Sequence, residues 1–216
     1  MLQQERLLNA LAAARAFVRD SHKEETMSFR ALPWSAVILA CCVQAQALAS
    51  GVADISNYRQ YSDLFSSSGQ PSKQQIPLLA EAGFQRIIYL ALTSNQTALA
   101  GEDDLVLASG MEYAHIAVDF SRPTVKNFQL VAALLQHDPG LKTLLHCQIN
   151  LRASTFAVLY RVIFLKVPVL EAKAALDTVW VPDPVWYRFI VDTLAHYQLS
   201  PDCEACDWGE REFDSP

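Results

Sequence analysis

Positive charge is scarce in this sequence. Lys and Arg together number 17 against 23 Asp and Glu, a formal net charge of −6. Nucleic-acid surfaces are basic stripes that match a phosphate backbone, so an acidic chain without such a stripe is not expected to bind nucleic acid. No hydrophobic run is long enough, with suitable flanks, to make a permanent membrane span. Cysteine is sparse, five in 216 residues. Cys203-x-x-Cys206 has no second cysteine pair or paired histidines beside it, so no metal centre is expected. No internal repeat stands out, and the one low-complexity tract is Ser66-Ser67-Ser68. The chain is 51% hydrophobic, which supports one domain with a proper core but not two ordinary domains plus a tail.

A targeting signal is present, displaced from the N-terminus. From Met27 the sequence reads MSFRALPWSAVILACCVQAQALAS. Arg30 supplies a short positive region, Leu32 to Val43 an apolar core of secretion-signal length, and Ala47-Leu48-Ala49 small residues at the cleavage positions. The expectation is a start at Met27 and cleavage near Ala49-Ser50, giving a secreted or periplasmic product. The competing readings are an amphipathic helix running into a buried one, and a lipoprotein anchor at Cys41, for which Ile38-Leu39-Ala40 is a poor lead-in. The expected divisions are therefore an N-terminal extension at 1–26, from an upstream start codon, a signal peptide at 27–49, a domain at 50–200 and an acidic tail at 201–216.

Along the domain, hydrophobic periods alternate between strand and helix. Ser72 to Ala82 reads as a helix capped by Ser72 and ended by Gly83, followed by a buried strand from Phe84 to Leu90. Residues 93–110 read as polar and irregular until the apolar run near Leu105. A strand at Tyr113–Val118, a helix at Thr124–Gln136 with Phe128, Val131, Leu134 and Leu135 inward, and a strand at Lys142–His146 come next. A helix from about Ala153 to Leu165 and two amphipathic helices near Val169–Val179 and Asp183–Tyr197 complete the order. Strands separated by helices imply an α/β fold with a mainly parallel central sheet flanked by helices. In such sheets ligands bind where a strand's carboxyl end meets the next helix.

Cys147 stands at such a place. The segment Leu144-Leu145-His146-Cys147-Gln148-Ile149-Asn150-Leu151-Arg152-Ala153-Ser154-Thr155 delivers a cysteine from a strand, turns, and puts an arginine at a helix start. Successive backbone N–H groups and a helix N-terminus make an anion nest, and a guanidinium clamps two oxygens as a planar fork. The same positive field favours a thiolate, the nucleophilic form of cysteine. An inert core thiol is the competing reading of Cys147 by itself.

This segment resembles the H-C-x-x-G-x-x-R-[S/T] loop of the protein tyrosine and dual-specificity phosphatase superfamily. The wider context is most similar to its small bacterial branch, the phosphatase-like domain also found attached to a β-lactamase-like hydrolase. Ser68-Gly69-Gln70-Pro71-Ser72, Ala82-Gly83-Phe84, Gly110 to Val118 and Pro123-Thr124 match that branch in order, over roughly Ile55 to Leu165. The resemblance implies a cysteine-phosphatase-like fold acting on a phosphate ester or other oxyanion, with no cofactor and no metal. It implies Cys147 as nucleophile, Arg152 as phosphate clamp and Asp119 as general acid. It implies His146 as the histidine whose ring helps hold the cysteine and lower its pKa, and His146, Gln148, Ile149, Asn150, Leu151, Ala153 and Ser154 make the surrounding loop. Asp119 has a second reading as a helix cap or a solvated loop residue. His115 reads as a packed or half-exposed histidine rather than a ligand, and Trp180, Trp186 and Tyr187 as core and edge packing.

The chain departs from the family pattern in three ways. Four residues, not five, separate Cys147 from Arg152. The loop glycine is absent, with Asn150 the residue able to take a left-handed conformation in its place. Ala153 follows the arginine, and the hydroxyl comes one residue later at Ser154. Two functions fit: a phosphate monoester hydrolase, or an oxyanion-binding module on the same loop. Persulfide chemistry is a third, without a rhodanese-like sequence around the loop. For Cys203 and Cys206 the ordinary expectation in an oxidising compartment is a local disulfide, ahead of a redox motif or a zinc site. Protein partners are not specified by the sequence.

Overall fold

The structure, a computed structural model, describes residues 51–209. The extension at 1–26, the signal segment at 27–49 and the end of the tail lie outside the described residues. The elements are β1 (Arg59–Gln60), β2 (Phe65–Ser68), α1 (Gln75–Glu81), β3 (Arg86–Tyr89), α2 (Glu102–Ala108), β4 (Glu112–His115), α3 (Val125–His137), β5 (Thr143–His146), α4 (Leu151–Ile163), α5 (Val169–Asp177) and α6 (Pro184–His196). The strand order is β1-β2-β5-β3-β4. β2, β5, β3 and β4 run parallel, and among the described strands only the two-residue β1 is antiparallel to its neighbour. The fold is the mainly parallel α/β sheet expected, with β5 at its centre.

Alternation along the strands divides the core in two. Ile88 and Leu145 face one cluster with Phe128, Phe156, Leu159 and Trp186. Ile87 and Leu144 face the other, with Ile76, Leu79, Val106 and Met111. α4 is the element most enclosed by the first cluster, every residue from Arg152 to Ile163 being buried. It packs against α3, α5 and α6. Phe156 stands among aromatic rings, 5.2 Å from Phe189, 6.1 Å from Phe128 and 6.3 Å from Trp186.

The serine tract is a buried strand. Ser66, Ser67 and Ser68 have no exposed surface, and a buried hydroxyl is costly unless it is hydrogen-bonded. Each has a partner. Ser66 Oγ pairs with Tyr58 OH at 3.0 Å, Ser67 Oγ with Tyr61 OH at 2.7 Å, and Ser68 Oγ donates to the Gly69 carbonyl at 2.8 Å.

Several boundaries differ from the sequence expectation. α1 starts at Gln75, not Ser72; Ser72 supplies a backbone carbonyl to the Gln75 and Ile76 amides and is not the cap. α3 is capped by Thr124 in a reciprocal box with Asn127. α4 begins at Leu151, two residues early, so Arg152 sits in its first turn. The stretch read as irregular contains α2, whose entry residue Gly101 has φ 69° and whose first turn carries Glu102, Asp103 and Asp104. Acidic residues there complement the helix dipole.

Cys203 and Cys206 form a disulfide, with Cα atoms 5.1 Å apart. Beyond it Trp208 is buried, its Nε1–H donating to the Pro201 carbonyl at 3.2 Å, its ring 5.6 Å from Tyr187 and covered by Lys173 at 5.1 Å. The described tail thus packs on α5 and α6. The packing of α4 makes Phe156→Ala the most direct test of this core. It should lower the unfolding free energy by about 3–5 kcal/mol, read as a lower urea midpoint.

Candidate functional site

β5 delivers His146 and Cys147 to the carboxyl edge of the sheet, and the chain turns at once into α4. Cys147 is 1% exposed and is a free thiol. Its amide donates to the Ser68 carbonyl at 3.2 Å, extending the β2–β5 pairing by one residue. Asn150 makes the turn at φ 74° and ψ 1°, in the left-handed region. The amides of Leu151, Arg152 and Ala153 follow in the first turn of α4, where backbone donors have no intrahelical acceptor. This is the nest-and-dipole arrangement that holds anions.

Two distant segments clasp the loop. The Gln70 amide donates to the Gln148 carbonyl at 2.9 Å, and the Gly69 amide to the Ser56 carbonyl at 2.7 Å. Asn57, itself at φ 50°, donates from Nδ2 to the Ile149 carbonyl at 2.9 Å and accepts from Asn150 Nδ2 at 2.6 Å. A Cβ on Gly69 would lie 2.8 Å from the Gln148 carbonyl oxygen and 3.0 Å from Ser56. Glycine is therefore required at 69 by close approach of two backbones. Sequence reasoning did not single out Asn57, and its 92-residue separation from Ile149 leaves no local signal.

Arg152 is buried and braced. Its Nε–H donates to the Val118 carbonyl at 3.1 Å, Nη1 donates to Gln148 Oε1 at 3.3 Å, and the guanidinium carbon lies 5.1 Å from the centre of the Phe120 ring. Phe120 is fixed in turn, 5.2 Å from Trp186, whose Nε1–H donates to the Phe120 carbonyl at 2.9 Å. The Gln148 amide also donates to Thr97 Oγ1 at 3.2 Å. Gln148 thus offers the guanidinium a neutral acceptor at the loop. Ile149 is on the outer surface, 52% exposed.

Asp119 lies between Val118 and Phe120, both in contact with Arg152, so its backbone is held at this edge of the sheet. Its carboxylate accepts from Ser121 N at 2.9 Å, Ser121 Oγ at 2.7 Å, and Arg122 at 3.2 and 3.3 Å. The Ser121 bonds, then Arg122, hold its pKa below the ordinary carboxylate value. In this conformation Asp119 is an ionised acceptor. Ser154 is also committed elsewhere, its Oγ donating to the Leu151 carbonyl at 3.2 Å within its own helix, with Ala153 buried beside it.

Behind the loop is a buried polar cluster. Burial pushes His146 down to about 3, against a weaker opposing contact with the Cys147 backbone, so the ring is neutral. Its Nε2 is 3.3 Å from Glu102 Oε1, off the line needed for a hydrogen bond. Glu102, raised to about 7 chiefly by burial, accepts from Gln70 Nε2 at 2.6 Å and, at 3.5 Å, from Tyr113 OH. Tyr89 is stacked between His146 at 4.8 Å and His115 at 5.1 Å, and His115 Nε2–H donates to the Ala91 carbonyl at 2.7 Å. A cavity of about 310 Å³ opens beside Glu102, Tyr89, Tyr113 and His115. A larger groove of about 580 Å³ runs between Arg122–Val125 and the start of α6 and contains neither Cys147 nor Arg152. Among the described residues no group of three His, Cys, Asp or Glu side chains is placed to hold a metal ion.

No family model and no curated protein sequence matches this chain. Solved structures do. A candidate phosphatase (DUF442) from Shewanella putrefaciens CN-32 is 30% identical, covers 68% of this chain and 97% of its own, and superposes with a TM-score of 0.64. The chain belongs to this DUF442 family. The same fold recurs in Tk-PTP, 18% identical with a TM-score of 0.56 over 63% of this chain and 95% of that one. It recurs again in the core catalytic domain of the PP-IP phosphatase SIW14 from S. cerevisiae, 11% identical with a TM-score of 0.55, over 63% and 84%. Those two likenesses establish architecture.

For this phosphatase-like domain two measurements follow from the geometry. Gly69→Ala forces apart the Gln148 and Ser56 backbones and should destabilise the fold by about 1–3 kcal/mol in urea titration. The Glu102–His146 pair should also shape the pH dependence of stability. His146 titrates near 6.5 when unfolded and about 3 when folded, so its contribution is full above 6.5 and lost as pH falls through that window. Glu102 titrates near 4.5 unfolded and about 7 folded, so its contribution is full below 4.5 and lost as pH rises to 7. The two slopes oppose each other between 4.5 and 6.5. Glu102→Gln removes one of them. Its stability should rise with pH across that interval more steeply than wild type, by about one proton's worth of slope; parallel profiles would contradict the assignment.

Proposed function

We propose that this domain hydrolyses phosphate monoesters through Cys147, with Arg152 as the oxyanion clamp and Asp119 as the proton donor. The observation that supports this most is the placement of a free cysteine and a braced arginine at opposite ends of one strand-to-helix loop. The Cys147 sulfur attacks phosphorus as a thiolate while the bond from phosphorus to the leaving oxygen breaks. Asp119 gives that oxygen its proton. Water then attacks the phosphocysteine, Asp119 takes a proton from the water, and phosphate and thiolate are regenerated. The loop amides and the guanidinium supply fixed positive potential where charge is shared among the phosphoryl oxygens.

The acid step requires Asp119 to leave Ser121 and Arg122, whose bonds keep it ionised. Binding of the anion also requires the Gln148 amide to give up Arg152. These contacts favour a second reading, an oxyanion-binding module with little or no turnover. Secretion after cleavage near Ala49-Ser50 remains our proposal for location, and the Cys203–Cys206 disulfide is in keeping with an oxidising compartment.

Hydrolysis of a generic aryl phosphate by the full chain, across pH and with Cys147 reduced, tests the first reading. Cys147→Ser should abolish turnover, and Asp119→Asn should lower kcat by roughly 10²–10⁴-fold and remove one limb of the pH profile. Phosphate binding without turnover, lost in Arg152→Ala, would establish the second reading. Turnover that survives in Cys147→Ser would exclude the mechanism.

A further inference from the structure

His146 is fully buried, and neither of its ring nitrogens has a hydrogen bond of good geometry. Nearly all buried polar atoms in folded proteins are paired, so two unpaired nitrogens on one ring require a reason. The ring is fixed by its strand and by the face of Tyr89. Its Nε2 looks at a carboxyl oxygen 3.3 Å away that is itself buried and clamped by Gln70. With ring and carboxyl both held, proton positions are the remaining freedom.

We propose that Glu102 is a positioning residue for the cysteine loop: its protonation sets the tautomer of His146, the residue leading into Cys147, while the ring stays neutral. The functional consequence rests on reading that loop as the reactive site; the switch itself does not. A protonated carboxyl is a donor and an ionised one accepts only. With Glu102 protonated, its O–H donates to the Nε2 lone pair, Oε1 keeps a lone pair for Gln70, and the ring carries its hydrogen on Nδ1. When the pair loses one proton to water, the ring hydrogen exchanges through solvent to Nε2 and donates to the carboxylate, leaving Nδ1 a lone pair. Nδ1, the ring nitrogen away from Glu102, changes from donor to acceptor, and no charge enters the imidazole.

Several titratable and polar groups face Glu102. Asp103 adjoins it on α2, Tyr113 and His115 face the shared cavity from β4, Tyr89 from β3, and uncharged Gln70 comes from the turn after β2. Tyr89 is pushed up to about 12, and Tyr113 further, by burial and then by Glu102, so neither titrates in the same range.

Two-bond ¹H–¹⁵N spectra of histidine-labelled full chain, from about pH 5.5 to 8.5, read the tautomer directly. His146 signals are assigned by their loss in His146→Gln, and His115 signals by their loss in His115→Gln. Wild type should show His146 neutral throughout, passing once from the Nδ1–H to the Nε2–H form. In Glu102→Gln the side-chain amide donates at every pH, and the Nδ1–H form should persist. A wild-type ring with one tautomer across the range, or one that becomes cationic, overturns the proposal without reference to any variant. So does a switch retained in Glu102→Gln. Iodoacetamide labelling of Cys147, followed by peptide mass, reads the link to the loop: wild type should show a rate step in that pH range that Glu102→Gln lacks. A tautomer switch without that step overturns the link. Absence of phosphatase turnover leaves both readouts standing, so failure of the hydrolase reading is distinguishable from failure of this one.

Discussion

Asn150 takes a backbone φ of 74° where β5 hands over to α4, and its side-chain amide is fastened to the Asn57 carbonyl. A left-handed residue other than glycine needs compensation, and here it comes from a segment 93 residues away. Asn57 returns a bond to the Ile149 carbonyl, and Gly69 allows a second strand to press on the same loop. The turn fixes where the first-turn amides of α4 point and where Arg152 emerges. Arg152 in turn rests on the Val118 carbonyl and on Phe120, which places Asp119 at the same edge of the sheet. Loosening the turn at Asn150 would therefore misplace the first-turn amides, Arg152 and the Asp119 backbone together.

Behind that turn the fold moves a proton. In an unfolded chain between about pH 4.5 and 6.5 a histidine is the protonated member of a Glu–His pair, whereas folding leaves His146 neutral and Glu102 protonated. Burial is the leading cause on both sides, because a buried charge is penalised whatever its sign. Below about pH 7 the pair behind the loop is therefore neutral.

The order of β3, β4, β5 and the helices other than α2 was legible because those elements carry strong local signals: a run of buried residues along β5, an apolar stripe on α3, a proline-led start to α6. The cysteine, the arginine and the asparagine standing in for glycine were legible because they are contiguous. Ser154 was readable as a displaced hydroxyl, but its turn back onto the Leu151 carbonyl depends on α4 starting two residues earlier than its periodicity suggests. α2 was missed because it is short and enters through a left-handed glycine, although three acidic residues ahead of an apolar run were a usable signal. Asn57, Gln70 and Glu102 were invisible as site residues. Their roles arise from contacts between segments far apart in sequence, and nothing in the composition of those segments announces them.

Whether the loop from Cys147 to Arg152 holds an oxyanion decides what this site is. Titrating inorganic phosphate into the ¹⁵N-labelled full chain, beside Arg152→Ala, measures this without depending on turnover. The account predicts saturable shifts of the amides from Gln148 to Ala153, strongly weakened in Arg152→Ala. A folded wild-type protein whose loop amides do not move at millimolar phosphate, or move equally in the variant, would contradict it.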